Sequence, residues 1–480
     1  MKSSYSFQRR ENMITLSNLD ILVIILYIIA VILIGIFTRG TAKNEESFLL
    51  AGRRLTLPLF IGTLVSTYYG GIIGVSEISY TSGLYNWLTQ GIFWYISYII
   101  FALFLAVRLR ASNQYTLPDQ LDRFYGKTAR KIGLVLNFCN VLPIAYVISL
   151  GVMFQVLFGI PLTWGIILGG ILSMSYTLLG GFSADVYTDL LQFVLMCVGV
   201  ALLILFSYVN LGGWDYLTSH APATHFTLKG DQPWTEIFIW GFIAMTTLVD
   251  PNFYQRCYAA KSPEVARKGI LLSVLFWMMF DLCTTFAGIY ARATFSDIDP
   301  KHAYIHLANL VFPAGLKGLY ITGMLATIMS TVDSYFFVAA TTISRDLYQK
   351  LLSPTASEKQ VVWVTRLGIF VTGILSIVLG LYFNDSIKLI WKLFGSLMAS
   401  SLLVPLLMGF WYPGQKTHAA GISSMCAGLL VAAFFYCGNK IFHIPWCVVT
   451  PPLYPAMTAS LLTFVIVNYM GTRVSGRKSI

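Results

Sequence analysis

Ser66-Thr67-Tyr68-Tyr69-Gly70-Gly71 interrupts an apolar stretch that runs from Leu55 to Tyr80. The stretch is long enough to cross a bilayer, which takes about 20 mostly apolar residues. A glycine pair at its centre weakens the helical backbone. In hydrocarbon an unpaired peptide group is costly, so irregular backbone is tolerated at bilayer depth only where it lines a cavity. A second interruption, Thr246-Thr247-Leu248-Val249-Asp250-Pro251, ends the stretch that starts at Trp234. The two broken spans lie five helices apart. Interrupted helices at matching positions in two five-helix halves point to an inverted-repeat transporter. The competing reading is that Gly and Pro are simply common in membrane helices.

The rest of the chain fits a membrane setting. Hydrophobic residues make up 56% of the 480 and charged residues 11%, against about 25% charged in a soluble domain. Thirteen apolar stretches are found. The first, Ile21 to Phe37, is longer than a signal-peptide core, and no small-residue cleavage site follows it. The predicted fold class is an all-α polytopic membrane protein, one transmembrane transporter domain over 1–480. Its core repeats fall at about 55–209 and 234–412, with extra helices near 21–37, 419–437 and 448–469.

The net charge of +11 reflects Lys and Arg in cytoplasmic loops rather than a nucleic-acid footprint. With the N-terminus outside, 22 of the 32 Lys and Arg fall on the inside. They include Arg39, Lys43, Arg53, Arg54, Arg110, Arg256, Lys261, Arg345, Lys350, Lys416 and Lys478. Thirteen spans then put the C-terminus in the cytoplasm, and the protein is expected in the plasma membrane. The seven cysteines show no C-x-x-C or metal-type spacing and read as small hydrophobes.

The ninth stretch carries the most chemistry: Thr327-Ile328-Met329-Ser330-Thr331-Val332-Asp333-Ser334. Thr327, Ser330, Thr331 and Ser334 stand at i, i+3, i+4 and i+7, on one helix face. Hydroxyls in membrane helices often bond back to their own backbone, but four on one face beside a carboxylate exceed that need. Hard cations choose oxygen ligands, and the broken second span offers free carbonyls at Ser66 and Tyr69. Intramembrane carboxylates are functional candidates because a charge at bilayer depth is costly. Asp189, Asp281 and Asp333 stand out, against the alternative of hydrogen-bonded structural carboxyls. Asp250 and Glu77 lie nearer helix breaks or ends, where solvation explains them.

The motifs then converge. Tyr176-Thr177-Leu178-Leu179-Gly180-Gly181-Phe182-Ser183-Ala184, followed by Tyr187-Thr188-Asp189 and Gln192, resembles the signature of the sodium:solute symporter family. So does the stretch from Lys317-Gly318 through Ser330-Thr331 to Arg345-Asp346-Leu347-Tyr348. Gly52-Arg53-Arg54-Leu55, Thr116-Leu117-Pro118-Asp119 and Gln255-Arg256 with Ala259-Ala260-Lys261-Ser262 match in order. The resemblance implies a LeuT-type fold whose five-plus-five core is spans two to eleven. It also implies a co-transported sodium ion held by carbonyls of Ser66, Tyr69 and Thr327 and hydroxyls of Ser330 and Thr331. Some members hold a second cation near the position of Asp189; here Asp333 and Ser334 occupy the matching helix, and those members carry a hydroxyl where this chain has Asp333.

For the solute, the resemblance places Tyr68, Phe93, Trp94, Tyr146, Thr246, Thr247 and Trp277 around the site. Asp281 is available to balance a positive group. Positions that bear polar groups in the family's sugar branch are Tyr68, Ile73, Trp94, Ile243 and Trp277 here, which argues against a sugar. The proline branch carries Asp at the position of Tyr68. Aromatic walls suit an apolar body or a cationic head, though an aromatic stripe in a membrane helix also serves plain packing.

The expected function is sodium-coupled symport of a small organic solute, with sodium, solute and lipid bilayer as partners and no nucleic acid. A proton-coupled symporter of the same fold, with Asp189 or Asp333 titrating, is the alternative. A channel or receptor fits less well. An enzyme is not expected, since the chain carries no H-E-x-x-H, G-x-S-x-G or Cys/His cluster.

Overall fold

The computed structural model describes residues 15–38, 45–383 and 387–477. Lys2, Arg9, Arg10, Arg39, Lys43 and Lys478 lie outside them, as do the side chains of Tyr176, Leu179, Lys388 and Arg477. The main helices are α1 (Asn18–Thr38), α2 (Leu57–Thr67), α3 (Ile72–Ser82), α4 (Trp87–Phe104), α5 (Leu117–Asn140), α6 (Ile144–Phe158) and α7 (Leu162–Leu211). They continue with α8 (Trp234–Ala244), α9 (Pro251–Ala259), α10 (Pro263–Thr294), α11 (Leu316–Leu352), α12 (Glu358–Tyr382), α13 (Leu389–Trp411), α14 (His418–Lys440) and α15 (Leu453–Arg477). Extended backbone among the described residues pairs in one isolated bridge, Leu55 with Ala260.

Ten helices among the described residues are long and apolar enough to cross a membrane, and the bent pair α2–α3 makes an eleventh. Two of the thirteen predicted spans fall short of that length. Leu162–Leu178 contains an apolar helix, Leu162–Ser175, followed by a break at Gly181, where φ is 65°. That conformation costs a side chain strain, and a Cβ there would lie 2.7 Å from Phe48 Cδ2.

The other is the stretch from Trp234, and here the prediction is corrected. α8 stops at Ala244, a 3₁₀ turn covers Met245–Val249, and the chain then resumes as α9. Asp250 starts α9 by accepting from Asn252 N at 2.8 Å and Phe253 N at 3.3 Å, with Pro251 in the first turn where its missing N–H costs nothing. The sequence reading ended this span at Pro251, ahead of Asn252-Phe253-Tyr254-Gln255-Arg256. All five are buried.

Burial follows each helix's composition. α11 is buried along its whole apolar window, so its hydroxyls face protein on every side. α1 and α15 expose Leu22, Ile25, Ile29, Val465 and Ile466, as lipid-facing helices do. The basic loops meet at one end of the bundle. Arg53 donates to the carbonyls of Tyr258, Asn113 and Gln114, Arg110 donates to Ala260 O at 2.6 Å, and ion pairs join Arg345 to Glu45 and Lys350 to Asp119. Other loops close elsewhere: Ser76 Oγ donates to Pro300 O at 3.0 Å, Tyr80 OH to Phe295 O at 2.7 Å, and Asp20 accepts from Gly315 N and Gly318 N.

Candidate functional site

The break between α2 and α3 bends the chain by 60°. Its glycines are needed for close approach on two sides. A Cβ at Gly70 would lie 2.3 Å from Thr331 Oγ1, and one at Gly71 would lie 2.1 Å from Trp391 Cζ2. α11 therefore packs directly against the broken backbone on one side, and α13 on the other.

Across the first contact lie the predicted sodium ligands. Ser330 Oγ donates to Ser66 O at 2.9 Å and Thr331 Oγ1 to Thr67 O at 2.7 Å. Both hydroxyls also reach Thr327 O, at 3.0 and 3.3 Å. Carbonyls and hydroxyls from α2 and α11 thus converge in a fully buried spot, a neutral oxygen set suited to a monovalent hard cation. Beside Ser66, the carbonyl that accepts from an α11 hydroxyl is that of Thr67 rather than the predicted Tyr69. The Tyr69 side chain points away, donating to Asp281 and lying 3.0 Å from Thr284 Oγ1.

Asp189, Asp333 and Ser334 are not brought together as one cluster. Asp333 accepts from Ser173 and, at 3.1 Å, from Thr177 on α7. Asp189 accepts from Thr63 Oγ1 at 2.5 Å and Thr67 Oγ1 at 3.3 Å. Between Asp189 and Ser334 sits a group the sequence reading placed in a loop: Arg256, with 0% of its surface exposed. Its Nη2 lies 2.6 Å from Ser334 Oγ, 2.7 Å from Thr67 Oγ1, 3.2 Å from Asp185 Oδ2 and 3.5 Å from Asp189 Oδ2. Ser334 Oγ in turn donates to Asp185 Oδ2 at 2.9 Å. Asp185 and Asp189 stand at i and i+4, a same-face pairing visible in the sequence. The signal for Arg256 was weaker, because α9 does not look like a membrane segment.

On the other side of the break a cavity of about 180 Å³ opens. Of the predicted lining, Tyr68, Trp94, Tyr146, Thr246, Trp277 and Asp281 face it. Phe93 and Thr247 do not: Phe93 packs by Gly241 on α8, and buried Thr247 accepts from Tyr68 OH at 3.4 Å. Residues missed from sequence are Tyr98, Asn140, Trp240, Asp250, Tyr335 and Trp391. The rings interlock: Tyr98 lies 4.1 Å from Trp277, and Tyr68 meets Phe253 edge-on at 4.8 Å. Asp281 accepts from Tyr69 and, at 2.5 Å, from Tyr95.

A buried set of neutral oxygens, a neighbouring cavity and one broken helix shared between them are the arrangement expected of a LeuT-type secondary transporter. The sodium:solute symporter family model matches residues 48–428, and the chain belongs to that family. It is a symporter that couples sodium to the movement of a small organic solute. It is 26% identical to the sodium/proline symporter of Haemophilus influenzae, covering 84% of this chain and 85% of that one. It is 23% identical to the high affinity choline transporter 1 of Homo sapiens, covering 94% and 84%. A Na+-coupled sialic acid symporter in a substrate-bound outward-open state shares the fold, with a TM-score of 0.76 at 17% identity over 94% of this chain and 98% of that one.

Proposed function

We propose that sodium binds between Ser66, Tyr69 and Thr327 carbonyls and the Ser330 and Thr331 hydroxyls, and that the solute binds in the neighbouring cavity. One observation carries this reading. Residues 66–71 serve both places, with Ser66 and Thr67 carbonyls facing α11 and Tyr68 and Tyr69 side chains facing the cavity. An ion that orders the break therefore also sets the cavity wall, which couples the two by population shift. The core repeats are taken as about 55–209 and 234–412, rocking around this site. The protein sits in the plasma membrane with its basic end in the cytoplasm, imports its solute unchanged and performs no covalent chemistry. A reporter fused after Ile480 then reads out as cytoplasmic, and an external signal overturns the orientation.

The test is uptake into proteoliposomes. Sodium, and not an imposed proton gradient, drives it. Ser330→Ala and Thr331→Ala each raise the sodium concentration for half-maximal uptake by about tenfold, the equivalent of roughly 1.4 kcal/mol. Uptake that ignores sodium and follows the proton gradient refutes the assignment.

A further inference from the structure

The charge of the cavity wall is one-sided. Asp250 and Asp281 line it, and among the described residues no Lys, Arg or His does. Neither carboxylate belongs to any ion pair among the described residues. The buried cation on Asp250's own helix, Arg256, is committed to Asp185 and Asp189. Lys392, beside Trp391, is turned to an ion pair with Glu236 and lies over the Trp240 ring. Two carboxylates taken out of water without a counter-charge are costly, and the tyrosine hydroxyls, with two backbone N–H groups at Asp250, offset only part of that. Ten of the 22 lining residues are aromatic, and ring faces attract cations, most strongly where water is excluded.

A solute carboxylate has one natural landing place in this cavity, the N-terminus of α3, whose free N–H groups and dipole favour an anion. That end reaches the cavity at Gly71 but is crowded by Trp391. The Trp391 indole sits where a Cβ on Gly71 would be 2.1 Å away and one on Gly74 2.6 Å away. A carboxylate elsewhere in the cavity would meet Asp250 or Asp281 with no basic group among the described residues to separate them, a repulsion that selects against it. Two neutral donors at the wall, the Gln90 side-chain nitrogen and the Trp240 indole N–H, are buried without a partner among the described residues, placed for a hydroxyl or carbonyl oxygen.

We propose that the cavity selects a small organic cation, an amine or quaternary ammonium compound without a carboxylate, its head held by Asp281 and the ring faces of Trp94, Tyr98 and Trp277. This rests on the reading of the cavity as the solute site.

The experiment is thermal unfolding of the purified protein in sodium or potassium chloride, with choline, tetramethylammonium, glycine betaine, L-proline or D-glucose as probes. Choline and tetramethylammonium raise the midpoint in sodium, and glycine betaine, which adds a carboxylate to the same head, does not. Asp281→Asn weakens apparent choline affinity at least about tenfold while sodium alone still stabilises the variant. If Asp281→Asn does not fold, Asp250→Asn carries the same expectation. Better protection by glycine betaine, L-proline or D-glucose than by either cation overturns the proposal, as does protection by neither cation. The two readings fail separately. Choline protection indifferent to sodium removes the coupling and keeps the cation site, whereas sodium stabilisation with a zwitterion preferred removes the cation site alone.

Discussion

Replacing Arg256 by Met removes a buried charge of nearly unchanged shape and leaves Asp185 and Asp189 facing each other. Nη2 lies 3.2 Å from one carboxylate and 3.5 Å from the other. At an effective dielectric of about 20, each contact amounts to roughly 5 kcal/mol of attraction before desolvation and carboxylate repulsion are set against it. Breaking such a buried pair by removing one partner costs about 3–5 kcal/mol. A domain of 150–250 residues loses about 2–4 °C per kcal/mol and a larger chain less, so Arg256→Met should lower the unfolding midpoint by roughly 5–10 °C. Adding Asp185→Asn removes the excess negative charge and should restore a large part of the loss, although Asp185→Asn alone is destabilising because Arg256 and Ser334 lose an acceptor. The assay is heating of purified protein followed by size-exclusion detection of the remaining folded fraction, run as a double-mutant cycle. Strictly additive losses, or a single variant as stable as the parent, would show that Arg256 does not neutralise these carboxylates.

Two further outcomes follow from contacts already described. Gly71→Ala drives a methyl into the Trp391 indole, an overpacking of about 1–3 kcal/mol, so folded yield and uptake should fall, and Trp391→Leu in the same chain should restore part of the yield; no rescue would mean that the glycine is needed for its backbone rather than for space. His225 is buried against Tyr80 O, with Nε2 at 2.9 Å, and burial holds its imidazole below the usual range. The unfolded chain therefore binds the proton more readily, so stability is full above the ordinary histidine value of about 6.5 and falls as pH drops through it. His302 and His306 are shifted down by burial in the same way. The unfolding midpoint should decline between pH 7 and pH 5, less steeply in His225→Gln, and an unchanged profile in that variant would remove His225 from the account.

What could be read from residues alone was whatever depends on local order. The Gly70-Gly71 break, the hydroxyl face of α11 and the gathering of basic loops at one end are set by residue spacing and by the cost of exposed peptide groups in hydrocarbon. Contacts between distant segments needed the fold. Nothing in the order of residues shows that Trp391 seats on Gly71, or that Tyr69 and Tyr95 share Asp281, because those partners lie 320, 212 and 186 positions apart and meet only when the bundle closes. Arg256 shows the limit most clearly. A polar stretch after a proline reads as a loop by any hydropathy argument, since burial of an arginine is unfavourable unless its partners are already in place. Asp185, Asp189, Thr67 and Ser334 come from three other helices, and only their packing around the guanidinium turns that stretch into a buried helix.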